Sequence, residues 1–189
     1  LEVGEEAVRY YRALVEANPD VYLPDLARSL AYLSVHLGEV RRRAEALAAI
    51  EEAVRYCRAL AEANPDAYLP DLAMSLAFLS VHLRNVDGWP QREEALEVGE
   101  EAVRYYRALV EANPDVYLPD LARSLANLSA RLREMGRWEE ARAAIEEAVG
   151  YDRALAESEQ DVYLPDLARS LAYLSAHLHR WGGGRTSWP

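Results

Sequence analysis

Tyr22-Leu23-Pro24-Asp25-Leu26-Ala27-Arg28-Ser29-Leu30 returns, with one variable position, at Tyr68, Tyr117 and Tyr163. The intervals are 46, 49 and 46 residues, and most of the sequence between the copies repeats as well. A fixed period of this size marks a stacked-repeat architecture, in which a unit buries its apolar face only against its neighbours.

Each period holds two helical segments. In the third unit the first runs from Pro119, and Leu121, Leu125, Leu128 and Leu132 recur at the three- and four-residue spacing of one helical face. Pro and Asp suit the first turn of a helix, so Leu-Pro-Asp is expected to open it. The second segment, Arg92 to Glu111, carries Ala95, Gly99, Ala102, Tyr106 and Leu109 on one side and stops at Asn113-Pro114. Short turns such as Met135-Gly136-Arg137-Trp138 join the segments, which makes each unit a helical hairpin. The second unit reads Val86-Asp87-Gly88-Trp89-Pro90-Gln91-Arg92 there, three residues longer. Period-two alternation is absent. The chain is therefore all-α, with helices expected at about 1–18, 24–38, 42–63, 70–85, 92–112, 119–135, 138–157 and 165–180.

Composition narrows the function. The 189 residues are 51% hydrophobic, enough for a large core, and carry a net charge of −11. That charge opposes general nucleic-acid binding, which needs a basic stripe. No apolar run approaches the roughly 20 residues that span a bilayer. Cys57 is the only cysteine, so no intramolecular disulfide is possible and a reducing, cytoplasmic setting is expected. The opening Leu1-Glu2-Val3-Gly4 has no signal-peptide character and reads as the middle of a helix, so the sequence is expected to be a piece of a longer chain.

The hairpin pattern resembles the tetratricopeptide repeat, large-x2-Leu-small-x2-aromatic on helix A and Ala-x3-aromatic-x2-Ala on helix B. In the third unit the matching residues are Leu125, Leu128, Ser129, Leu132, Ala141, Ile145 and Ala148. In the first they are Leu30, Leu33, Ser34, Leu37, Ala46, Ile50 and Ala53, with Arg41 where Gly136 supplies the turn glycine. The period exceeds the family's usual figure of about 34, and the aromatic landmarks have become Leu, Ile or Gly. The chain is thus similar to long-repeat arrays of the kinesin-light-chain and actinobacterial type. That resemblance implies a right-handed superhelical solenoid of tandem antiparallel hairpins over 1–181, with a flexible tail at 182–189. Residues 1–31 are identical to 96–126, so the duplicated block is a pair of hairpins.

Copy-to-copy comparison argues against chemistry. Cys57 shares its slot with Tyr11, Tyr106 and Asp152, a tolerance that reads as a helix surface or edge rather than a nucleophile. His36, His82 and His177 share another slot, but neighbouring repeats stand about 8–10 Å apart and a metal needs ligand atoms about 2 Å away. The recurring Glu pairs, such as Glu51 and Glu52, read as a solvated acidic face. No catalytic residue, metal site or cofactor is expected, and the chain reads as a non-enzyme.

In tetratricopeptide arrays helix A lines a concave groove. The resemblance places there the rows Arg28, Met74, Arg123 and Arg169; Tyr32, Phe78, Asn127 and Tyr173; Val35 and its equivalents; and Arg84, Arg133 and His179 beside Gly38. An Ala row (Ala31, Ala77, Ala126 and Ala172) lies between them. The windows 24–39, 70–85, 119–134 and 165–180 carry −1, 0, +1 and +1, so the acid sits on helix B and the loops. Aromatic and Arg side chains are the usual make-up of binding hot spots. The expected partner is a protein or peptide segment with apolar anchors and some acidic character, not nucleic acid or membrane. The aromatics have a second possible role, packing between neighbouring A helices. The implied setting is the sensor or adaptor arm of a larger bacterial signalling protein. The first helix lacks an A partner and the last lacks a B partner; either the last is a solvating cap or copies pair head to tail.

Overall fold

The computed structural model describes residues 1–84 and 89–182, except for the side chains of 89, 90, 177 and 179–182. Among the described residues it forms eight helices and no strand: α1 (Glu2–Ala17), α2 (Pro19–Glu39), α3 (Arg43–Ala63), α4 (Pro65–Leu83), α5 (Trp89–Ala112), α6 (Pro114–Glu134), α7 (Trp138–Ser158) and α8 (Gln160–Gly182). The even-numbered helices hold the repeated phrase and are the A helices; the odd-numbered ones are the B helices. Two compact units divide the chain, Leu1–Tyr105 and Tyr106–Pro189.

Where the A helices begin is a correction. Starts were expected at 24, 70, 119 and 165, yet these helices begin five residues earlier and carry Pro24, Pro70, Pro119 and Pro165 inside them. In three of the four units the start signal is Asn-Pro-Asp, at 18–20, 64–66 and 113–115. The Asn is extended, with φ near −150°, Pro takes the first helical position and Asp sits in the first turn. Asn64 also accepts a hydrogen bond from the Ala67 N–H at 3.3 Å. A proline six residues into a helix costs one backbone bond, to the carbonyl four residues back, and tertiary packing outweighs that loss here. The seam between each B helix and the next A helix is a single residue. At the C-terminal end α8 reaches Gly182, which was assigned to the tail; 183–189 lie outside the described residues. The longer second-unit turn falls partly outside them too, at 85–88, and α5 starts at Trp89 rather than 92.

In the first unit α1 packs on α2, α2 on α3 and α3 on α4; in the second α6 packs on α7 and α7 on α8. Leu121, Leu125, Leu128 and Leu132 are all buried, as are the tetratricopeptide-pattern residues of both units named above. Burying one such leucine contributes about 1.5–3 kcal/mol, so these positions supply a substantial part of the core's stabilisation. The hairpin turn needs a left-handed residue: Gly136 has φ 77°, and Arg41 adopts φ 62° in the same slot.

On the B helices a charge ladder links successive repeats. Arg12 donates to Glu52 at 2.6 Å, and Arg58 grips both carboxylate oxygens of Glu101 at 2.8 and 2.6 Å. In the second unit Arg107 donates to Glu147 at 2.7 Å. Each rung is partly exposed and worth at most about 1 kcal/mol, so the ladder sets register more than it stabilises.

Candidate functional site

Residues at i, i+4 and i+7 share a helix stripe, and Arg28, Tyr32 and Val35 do so on α2, opposite the core leucines. In the first unit the backbones of α2 and α4 approach within 8 Å, whereas those of α1 and α3 do not. Tight spacing on the A side sets the helix that carries Arg28, Tyr32 and Val35 against the one that carries Met74 and Phe78, with Arg28 reaching Asp71 and Gly38 close to His82. In the second unit α6, which carries Arg123, Asn127 and Arg133, approaches α8, which carries Arg169 and Tyr173, in the same way. The side chain of His179 lies outside the described residues.

These positions are not equivalent. Arg28, Tyr32, Arg84, Arg123 and Arg169 are exposed, and Tyr32 keeps half of its surface in water. Val35, Asn127, Arg133 and Tyr173 are half-buried. Met74 and Phe78 pack against the core of the first unit, so they form the wall beside the exposed row. Ala31 and Ala126 are buried, Ala77 packs against the core and Ala172 is exposed.

An acidic row accompanies the Arg ladder and pairs with it. Arg28 donates to both oxygens of Asp71, from Nη2 at 2.9 Å and Nε at 3.3 Å, joining α2 to α4. That bond, opposed in part by desolvation, raises the Arg28 pKa. In the second unit Arg123 donates to Asp120 at 2.8 Å and Arg169 to Asp166. Burial pushes the Asp120 carboxyl up, and Arg123 partly offsets it. The Asp of the repeated phrase is thus an ion-pair partner in the second helical turn. Its spacing of three residues before Arg was the available signal.

The Cys57 slot is also a correction. Its tolerance across copies implies a helix surface or edge, yet Cys57, Tyr106 and Asp152 are all buried. Their slot faces a serine on the next A helix: Cys57 Sγ lies 3.6 Å from Ser75 Oγ, and Asp152 bonds Ser170. The slot tolerates different residues because a small polar partner sits opposite it. Burial raises the Cys57 thiol pKa, which leaves little thiolate for nucleophilic attack. Among the described residues no three His, Cys, Asp or Glu side chains converge as a metal site would require, and no helix is long and apolar enough to cross a membrane. The His slot is equally divided: His36 is exposed near Glu39, His82 is half-buried and Arg131 is buried beside Glu134.

A cleft of about 320 Å³ opens elsewhere, between α1 and α3 above Leu30, Leu33 and Leu37 of α2. Its charged rim is satisfied internally, by Arg42 on Glu5 and Glu45 and by Arg12 on Glu52. Nothing unpaired points into it, so the A-helix row is the stronger candidate.

No protein-family model and no curated protein matches the sequence. Among solved structures the chain is similar to the crystal structure of BtubC (BKLC) from P. vanneervenii, at 16% identity and a TM-score of 0.58. The match covers 96% of this chain and 82% of that one. Identity this low speaks for fold alone, and the shared fold is the tetratricopeptide-type helical repeat.

Proposed function

We propose that this chain is a non-catalytic scaffold that holds a protein or peptide segment against its A helices. The observation that carries the reading is the exposed Tyr32 flanked by Arg28, on the side of the first unit where helix backbones crowd together. Crowding on one side of a helix layer curves that side inward, and an aromatic beside a guanidinium is a common hot-spot pair. The favoured ligand has apolar anchors for the Tyr32, Val35 and Phe78 surface and a carboxylate for Arg28; in the second unit Arg123 and Arg169 offer the same chemistry by themselves. We place the scaffold in the cytoplasm, as the sensor or adaptor arm of a larger bacterial signalling protein.

The test is a peptide array of mixed apolar and acidic segments, probed with the chain and with an R28E/R123E/R169E variant. The variant should keep its helical circular dichroism and lose the hits. Equal binding by both chains would remove the A-helix face as the site.

A further inference from the structure

Arg28 and Arg123 sit in identical sequence, since residues 1–31 repeat as 96–126, yet they hold different partners. Arg28 reaches across to Asp71 on the next A helix, while Asp25, three residues before it on its own helix, stays at 3.8 Å. Arg123 does the opposite. It bonds Asp120, the copy of Asp25, at 2.8 Å, and Asp166, the copy of Asp71, is held by Arg169.

The cause lies on the facing helix. Residues 68–80 of α4 and 163–175 of α8 differ at two positions only, Met74 against Arg169 and Phe78 against Tyr173. On the arginine's own helix the first difference is Tyr32 against Asn127. Of these three, only Met74 against Arg169 changes charge. An aspartate and an arginine three residues apart on one helix are neighbours, so Arg169 takes Asp166 within α8. Met74 offers Asp71 nothing of the kind and packs against the core instead. Asp71 is mostly buried, and a carboxylate withdrawn from water is costly unless paired, so it draws Arg28 across the seam. The first unit then sets one guanidinium between two carboxylates, Asp25 and Asp71. The second has two guanidinium groups for two carboxylates, Asp120 and Asp166.

We propose that Met74 is a positioning residue that sets the acid preference of the α2–α4 face. Because residue 74 carries no charge, Asp71 stays on Arg28, and a ligand carboxylate reaches that guanidinium only by displacing it. Apolar contacts with Tyr32, Val35 and Phe78 therefore dominate selection in the first unit. An arginine at 74 would hold Asp71 within α4 and open Arg28 to an acidic ligand. The assignment rests on the A-helix binding reading above, while the pairing beneath it is testable without any ligand.

Double-mutant cycles read from denaturant unfolding test the pairing. In the parent, R28A and D71A should couple by a factor of about two to five in the folding equilibrium constant, and in M74R that factor should fall to about one. R169M, at an exposed position that keeps the test open should M74R fail to fold, should do the reverse. In its background R123A and D166A should gain a coupling of about two- to fivefold. A peptide array tests the preference, with every acidic segment printed beside its amide twin, glutamine for glutamate and asparagine for aspartate. M74R should raise the acidic-over-amide preference about three- to tenfold, and the uncharged M74Q should leave it at the parent's value. Coupling that neither M74R nor R169M moves would overturn the proposal, and so would binding whose preference M74R leaves unchanged. Peptides that bind none of the chains would sink the A-helix reading, and the role of Met74 with it, even where the coupling moves as expected.

Discussion

Arg28 on α2 grips both carboxylate oxygens of Asp71 on α4, and this bond ties one repeat to the next across the candidate binding face. Asp71 is the more buried partner and Arg28 the more exposed, so the pair fixes the carboxylate and leaves one side of the guanidinium to solvent. A double-mutant cycle with R28A and D71A should give a coupling of about 0.5–1 kcal/mol that shrinks with added salt. The same geometry has a consequence for binding. D71N leaves the guanidinium only the longer Asp25 contact, at 3.8 Å, so it should tighten capture of an acidic peptide while slightly lowering stability.

Gly38 and His82 report the close approach of the same two helices. A Cβ at residue 38 would stand 2.9 Å from His82 Cε1, so Gly38→Ala forces the ring to turn. Replacing a helical glycine by alanine ordinarily gains up to about 1 kcal/mol. Here that gain should vanish or reverse, and return when His82 is also Ala. Thermal melts of the four chains would check it; additive effects would mean the ring moves freely.

Arg41 holds φ 62° where the equivalent turn uses Gly136. A left-handed conformation costs a side chain roughly 1–2 kcal/mol. R41G should therefore raise stability by about 1 kcal/mol, and G136A should lower it by a similar amount. Denaturant midpoints with unchanged slopes would measure both.

Asp152 is buried, and desolvation raises its carboxyl pKa, with the Ser170 hydrogen bond opposing part of that rise. A folded pKa above the unfolded value means that the fold favours the protonated acid. Stability then falls as pH rises through the unfolded aspartate value, about 3.9, toward the raised folded one, and stays lower above it. D152N should be more stable than the parent at neutral pH, with the difference closing toward about pH 3. Melting curves of both chains across this range would show it, and a D152N chain less stable at pH 7 would contradict it.

Much of the fold was legible because the repeat prints the core pattern several times over. Leu30, Leu125, Ile50 and Ile145 follow helical periodicity, and periodicity alone decides which side is apolar. The helix starts were misread because two proline signals stand five residues apart, Pro19 and Pro24, and either can open a helix. Only packing decides that the earlier one does. On the candidate face Tyr32 and Arg28 are exposed while Met74 and Phe78 lean on the core, a difference the sequence does not carry because the distance between neighbouring A helices is not written in either helix.

By itself the sequence determined the repeat, the all-helical class and the buried leucine and alanine positions, since these are local or periodic properties. Tertiary structure decided the partners. It set Asp71 rather than solvent against Arg28, put Ser75 across from Cys57, and gave Arg28 and its copy Arg123 different partners. The physical reason is that identical residues differ only in what packs against them, and no single repeat contains its own neighbour.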